Sequence, residues 1–293
     1  MGKKFVEIIL IIVAAVCLNF SAYSDNVNQL ISSGRSLTAK QAEALEGKLK
    51  KDPADVSART ELLGYYFVQS FRNQEARDAK SRHVLWLIKN APDSKVLALP
   101  YGQLNKIMEA KAYEQAKVLW QEQIKKQPDN LKILDNSAKF FLLFDRKLAA
   151  ASLEKACKID PDNPEWHACF GYVYMLDMMQ APPNEKSKFA TKSFQQFEVA
   201  YKLSKGAKTE AVMGPLAKMA LAAGKLKEAK LYAEKMLADN PSGWNHGNNI
   251  NTGNNILGII ALKAGDVEKA KKYLEKAGNT SGSPQLNSFG PNM

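Results

Sequence analysis

The sequence predicts an all-α chain of about six stacked helical hairpins, forming a solenoid behind an export signal. Three observations carry that expectation. Small residues stand at a fixed distance before proline: Ala116 lies 12 residues before Pro128, Ala149 lies 12 before Pro161, and Ala229 lies 12 before Pro241. Small or apolar residues also pair at the same spacing, as in Gly64 with Ala76, Leu104 with Ala116, Ala217 with Ala229 and Gly258 with Ala270. That is the distance between a close-packing position in one helix and its partner in the next. The resulting period is about 34 residues, and units of that length stack so that each shields the apolar flank of its neighbour. The third observation is the N-terminus, where Lys3 and Lys4 precede the apolar run Ile8–Leu18.

That run is too short to span a bilayer. Ala22-Tyr23-Ser24 then supplies small residues at the −3 and −1 positions for cleavage before Asp25. The pattern is that of a Sec-type signal peptide over residues 1–24, which implies a secreted or periplasmic mature chain. No second apolar stretch is long enough to cross a membrane, so the mature form is expected not to span one.

Residues 25–36 read as a polar lead-in containing Gly34. Thr38 and Gln41 fit a capping box that opens a helix to about Lys51, where Pro53 stops it. Residues 25–53 thus form a lead-in and capping helix, residues 54–278 the repeats, and residues 279–293 a C-terminal loop. The first repeat carries Leu63, Gly64 and Phe67 in one helix and Ala76 to Ile88 in the next. The second spans about Ser94 to Gln127, with Pro100 placed in the first turn of its first helix and Ala116, Trp120 and Ile124 along its second. The third spans about Asp129 to Asp160 with Ala138, Phe141, Ala149, Leu153 and Ala156 at helical spacing. The fourth opens at Trp166, Phe170, Gly171 and Tyr174, has an insertion near Ala181–Asn184, and continues through Phe194 and Phe197. The fifth and sixth are copies offset by 41 residues. Leu221-Ala-Ala-Gly224 through Ala229 to Tyr232 matches Leu262-Lys-Ala-Gly265 through Ala270 to Tyr273. The additional residues fall in the Asn-rich stretch 242–255, and Gly214-Pro215 is expected to kink or delay the first helix of the fifth repeat.

These positions resemble the tetratricopeptide repeat. Leu63-Gly64 with Ala76, Ala116-Trp120-Pro128, Leu153-Ala156-Pro161, Phe170-Gly171-Tyr174 and Leu257-Gly258-Ala270-Leu274-Ala277 carry the likeness. The C-terminal run from Gly282 also resembles a segment of exported bacterial members. The resemblance implies a right-handed superhelix whose first helices line a concave groove for proteins or extended peptides. By register the groove holds Tyr65, Tyr101, Asn105, Lys139, Tyr172, Lys218 and Asn255, alongside Glu61 and Asp135. Tyrosine rings and amides of this kind suit an extended peptide. The positions at which some members grip a terminal carboxylate hold Glu61, Ala168 and Gly214 here, so that activity does not carry over. Leu286 and Phe289 are expected to fold over the end of the sixth repeat; left open, that end is a face for a homodimer.

The chain has 293 residues, 45% of them apolar, and 41 Lys and Arg against 30 Asp and Glu, a formal net charge of +11. The balance favours an acidic protein or peptide partner, although the basic residues are dispersed over solvated helix faces. They lack the aromatic platform that nucleic-acid binding uses, so nucleic acid is not expected. The alternative ligand surface is Trp244, His246, Asn248 and Asn251 in the Asn-rich insertion, whose ring and amides suit a carbohydrate or cell-wall ligand. Cys157 and Cys169, left after cleavage removes Cys17, are candidates for a disulfide in an oxidising compartment. No phosphate loop, zinc-helix motif or nucleophile elbow occurs, and the histidines at 83, 167 and 246 are far apart. Neither catalysis, a cofactor nor a metal is expected.

Overall fold

Side-chain caps set six of the thirteen helix starts among the described residues. Thr38 closes the expected capping box, its backbone N–H donating to Gln41 Oε1 at 2.8 Å while its hydroxyl accepts from the Gln41 N–H. Asp55, Asn73, Asn130, Asn163 and Asp266 likewise accept from the first-turn amides that a helix leaves unpaired. The structure is a computed structural model describing residues 25–71, 73–238, 245–280, 282–283 and 286–287. The signal segment 1–24, Pro241, Trp244 and Phe289 lie outside them. Among the described residues the chain is all-helical, with thirteen α-helices and no strand. None of these helices is long and apolar enough to cross a membrane. The chain divides into two compact units, residues 1–161 and 162–293.

The first unit contains α1 (Asp25–Arg35), α2 (Ala39–Lys51), α3 (Val56–Ser70), α4 (Gln74–Asn90), α5 (Ala110–Lys126), α6 (Leu131–Phe141) and α7 (Arg146–Ile159). The lead-in is therefore a helix, and its function is packing. Gly34 on α1 meets Gly64 on α3, and a Cβ added at Gly64 would stand 2.5 Å from the Ile31 carbonyl oxygen. Gly64 thus serves a crossing with α1 rather than only a fit to Ala76. Beside it α2 sets Ala42, Leu45 and Leu49 against Ala58, Leu62, Tyr65 and Tyr66.

The expected first helix of the second repeat is absent. Two 3₁₀ turns, Lys95–Ala98 and Pro100–Gly102, take its place. Pro92 and Pro100 remove donors, and Gly102 lies so close to Val96 and Leu97 that no Cβ fits. Val96, Leu97, Ala98, Leu99 and Leu104 are nevertheless buried, so the segment fills a helix's share of the core without its hydrogen bonds. Beyond it, Tyr113, Trp120, Phe140 and Phe141 form the aromatic centre of the unit, with Tyr113 and Phe140 stacked at 5.2 Å.

The second unit contains α8 (Pro164–Gln180), α9 (Pro183–Leu203), α10 (Ala207–Ala222), α11 (Leu226–Ala238), α12 (His246–Lys263) and α13 (Val267–Gly278). The insertion near Ala181–Asn184 lengthens α9 instead of looping out, because Pro183 occupies the first helical turn where its missing N–H costs nothing. Gly171 makes room for the Phe197 ring; a Cβ there would meet ring atoms at 2.7 Å. Pro215 lies inside α10, which continues through it. The two sequence copies adopt the same helix-ending turn. Gly224 has φ of 75° and Gly265 of 81°, with Lys225 N–H donating to Ala220 O at 2.9 Å and Asp266 N–H to Ala261 O at 3.0 Å. Five two-helix hairpins result among the described residues (α3/α4, α6/α7, α8/α9, α10/α11 and α12/α13), while α5 packs against α4 and the first 3₁₀ turn packs against α6.

Candidate functional site

The groove residues read from register meet different fates. In the first unit Tyr65 is half-buried, edge-on to Tyr66 at 5.2 Å. Tyr101 sits in the second 3₁₀ turn against Phe67, ring centres 4.7 Å apart, at the edge of a surface that exposes Phe71. Asn105 turns inward to the backbone: its Oδ1 accepts from the Ile107 and Met108 amides at 2.8 and 3.2 Å. Lys139 is buried, with its ammonium 2.8 Å from Asp135 one turn earlier. The basic contact expected of Lys139 is thus spent within α6.

Tyr172, in the second unit, is a core residue, 1% exposed, edge-on to Phe197 at 5.0 Å. A position that register assigned to the groove faces inward because α9 covers it. Lys218 on α10 and Asn255 on α12 are brought together. With Leu221, Thr252, Ile256 and Ile259 they line a depression of about 270 Å³. Lys218 is exposed and has no carboxylate partner among the described residues. Crowding by the surrounding protein holds its amine below the ordinary lysine range, with desolvation the cause. Water reaches the side chain, which limits that effect. Asn255 donates to Asn251 Oδ1 at 3.3 Å, and its own side-chain carbonyl is a polar acceptor that accompanies the amine.

The Asn-rich stretch is not an insertion loop where it is described. From His246 onward it is the start of α12, and its amides work as internal connectors. Asn251 is buried and donates to Ala277 O at 3.2 Å, tying α12 to the end of α13. Asn248 accepts from the Ser283 hydroxyl at 2.8 Å, which holds the following segment against the start of α12. Gly247 and Gly253 are positions of close approach; a Cβ at Gly253 would meet Leu237 Cγ at 2.9 Å. His246 is half-buried.

The candidate disulfide between Cys157 and Cys169 is not formed in the structure. Cys157 and Cys169 are both thiols, and desolvation pushes the Cys157 thiol up to about 11.

Two polar networks in the first unit escaped sequence reading. Lys80 and Glu109 form a buried ion pair at 3.1 Å; Glu109 also accepts from Ser81 Oγ at 2.9 Å and the Asn105 N–H at 2.9 Å, and Lys80 donates to Gln103 O at 3.0 Å. This pair anchors the irregular segment to α4. In the second network Arg59 donates to His83 Nδ1 at 3.2 Å, and since a guanidinium only donates, Nε2 carries the proton that His83 gives to Glu46 at 3.0 Å. Tyr66 donates to the same carboxylate at 2.8 Å, and Arg59 lies 3.8 Å from the Trp86 ring centre. The His83 hydrogen bond is the main reason that Glu46 is held at about 2. Sequence could not have found either network, because Glu46 and His83 are 37 residues apart and Lys80 and Glu109 are 29 apart.

A second depression, lined by Leu85, Gln115, Val118 and Leu119 between α4 and α5, offers apolar walls and no charge. No group of three or more His, Cys, Asp or Glu side chains suited to a metal occurs among the described residues. No protein-family model matches the chain, and no curated protein matches it.

Proposed function

We propose that this chain is an exported, tetratricopeptide-like scaffold that holds an extended segment of a partner protein against the first helices of its hairpins, without catalysis of its own. The finer architecture belonging to that reading is a right-handed solenoid with a concave groove. The carrying observation is that Lys218 and Asn255, chosen from register on two successive first helices, line one depression. The matching glycine turns at Gly224 and Gly265 add support, since two copies of a unit in sequence are two copies in backbone. The carbohydrate reading has less behind it: Asn248 and Asn251 are committed to internal hydrogen bonds.

The full chain, purified after expression with its N-terminus intact, is tested in two ways. N-terminal sequencing of exported material should begin at Asp25; retention of Met1 inside the cell overturns the export half. A library of extended peptides should bind, with amide-exchange protection on α10 and α12. Absence of any peptide binding overturns the scaffold half.

A further inference from the structure

We infer that the depression between α10 and α12 is a subsite for one acidic side chain flanked by a branched aliphatic one, on an extended protein segment. The inference rests on the scaffold reading and specifies its ligand.

Three features of the depression select that chemistry. Its walls are Leu221, Ile256 and Ile259, and Ile259 is 43% exposed, so aliphatic surface stands open to solvent. A branched side chain seated there would remove apolar area from water on both partners. Its charge is a single ammonium without a counter-ion: Lys225, Lys230 and Lys202 each pair with a glutamate near them in sequence, whereas Lys218 pairs with none among the described residues. An acidic ligand supplies the missing charge where protein already excludes part of the solvent, which strengthens the pair relative to a surface contact. The third feature is the rim. Thr252 and the Asn255 amide provide neutral hydrogen-bonding groups suited to a peptide backbone beside the side chain.

Desolvation without a compensating charge lowers the Lys218 amine. Binding of a carboxylate reverses that shift, because an opposite charge favours the protonated form. Occupancy therefore has a signature at one atom, independent of affinity.

The full chain is titrated with an array of ten-residue peptides that place Glu or Gln next to Leu or Ile, with Gln peptides as neutral controls. Glu peptides should bind roughly tenfold or more tightly than their Gln counterparts. Lys218→Gln should erase that preference, Lys218→Arg should keep most of it, and Lys186→Gln, on the exposed start of α9, should leave it intact. The Lys218 Cε resonance should titrate at higher pH when a Glu peptide is bound. Equal binding of Glu and Gln peptides, or an unchanged preference in Lys218→Gln with native helicity, overturns the subsite while leaving the scaffold standing. If 4-methylvalerate alone binds as tightly as the peptides, the ligand is a free aliphatic acid and the protein-segment assignment falls. If no peptide of any composition binds, the scaffold itself falls, and the subsite with it.

Discussion

Glu46 shows how a single side chain can matter without being near any candidate site. His83, Tyr66 and Arg59 surround it, and its carboxyl is lowered from an ordinary 4.5 to about 2, chiefly through the His83 hydrogen bond. A depressed folded-state value means that the network's contribution is complete above the ordinary carboxylate range and is lost as pH falls through about 2. Glu46→Gln should therefore be less stable than the parent chain at neutral pH, and the gap should close between about pH 4.5 and pH 2. Acid-dependent urea unfolding of the two proteins measures it; a gap that persists unchanged to pH 2 refutes the assignment. Nothing in the local sequence marks Glu46 for this position. It is a solvent-facing residue of α2 by pattern, recruited only because α4 brings His83 beside it. Tyr172 teaches the converse. Its register places it on a presented face, yet packing by Phe197 decides its exposure. Periodicity gives a residue's angle on its helix, whereas tertiary neighbours determine whether water reaches it.

Among elements, the clearest legibility lies in caps and terminators. Thr38 with Gln41 and the fit of Gly258 against Ala270 are local or nearly local features, and both were readable; the glycine turns at 224 and 265 fall within the segment that sequence showed to be duplicated. The α1 helix and the 3₁₀ segment were not. The α1 sequence is polar, and its helix is fixed by a long-range crossing of Gly34 over Gly64. Gly64→Ala should push α1 away, costing about 1–3 kcal/mol. Gly47→Ala, in the middle of α2 with nothing within 4 Å of its Cβ, should instead stabilise by about 0.5–1 kcal/mol. Thermal unfolding and α1 amide exchange distinguish the two, and equal effects would contradict the crossing. The irregular segment 95–109 depends on charge rather than on helical bonds. Lys80→Met alone strands Glu109 in the core and should cost about 3–5 kcal/mol. Adding Glu109→Leu should recover much of that loss, since an apolar pair leaves no buried charge. A double variant no better than the single one would show that the segment is held some other way.

At the scale of the whole molecule, composition and recurrence foresaw the all-helical class seen among the described residues. They foresaw less of the division at Pro161, because the turn there reads like the turns between other hairpins. The candidate site was partly legible. Lys218 and Asn255 converge because register repeats between two adjacent hairpins that copy one another closely. The first-unit candidates scatter because the second repeat gives up its first helix, and with it the frame that placed Tyr101 and Asn105. Site prediction from a repeat is therefore only as good as the repeat's local regularity.

The Cys157 thiol has a consequence for handling. With its proton held to about pH 11, roughly one molecule in ten thousand carries the nucleophilic sulfur anion at neutrality. Peroxide, glutathione disulfide and alkylating reagents all react through that anion. That thiol should accordingly react slowly with iodoacetamide at neutral pH and faster as pH rises, which timed alkylation and mass mapping of Cys157 would measure.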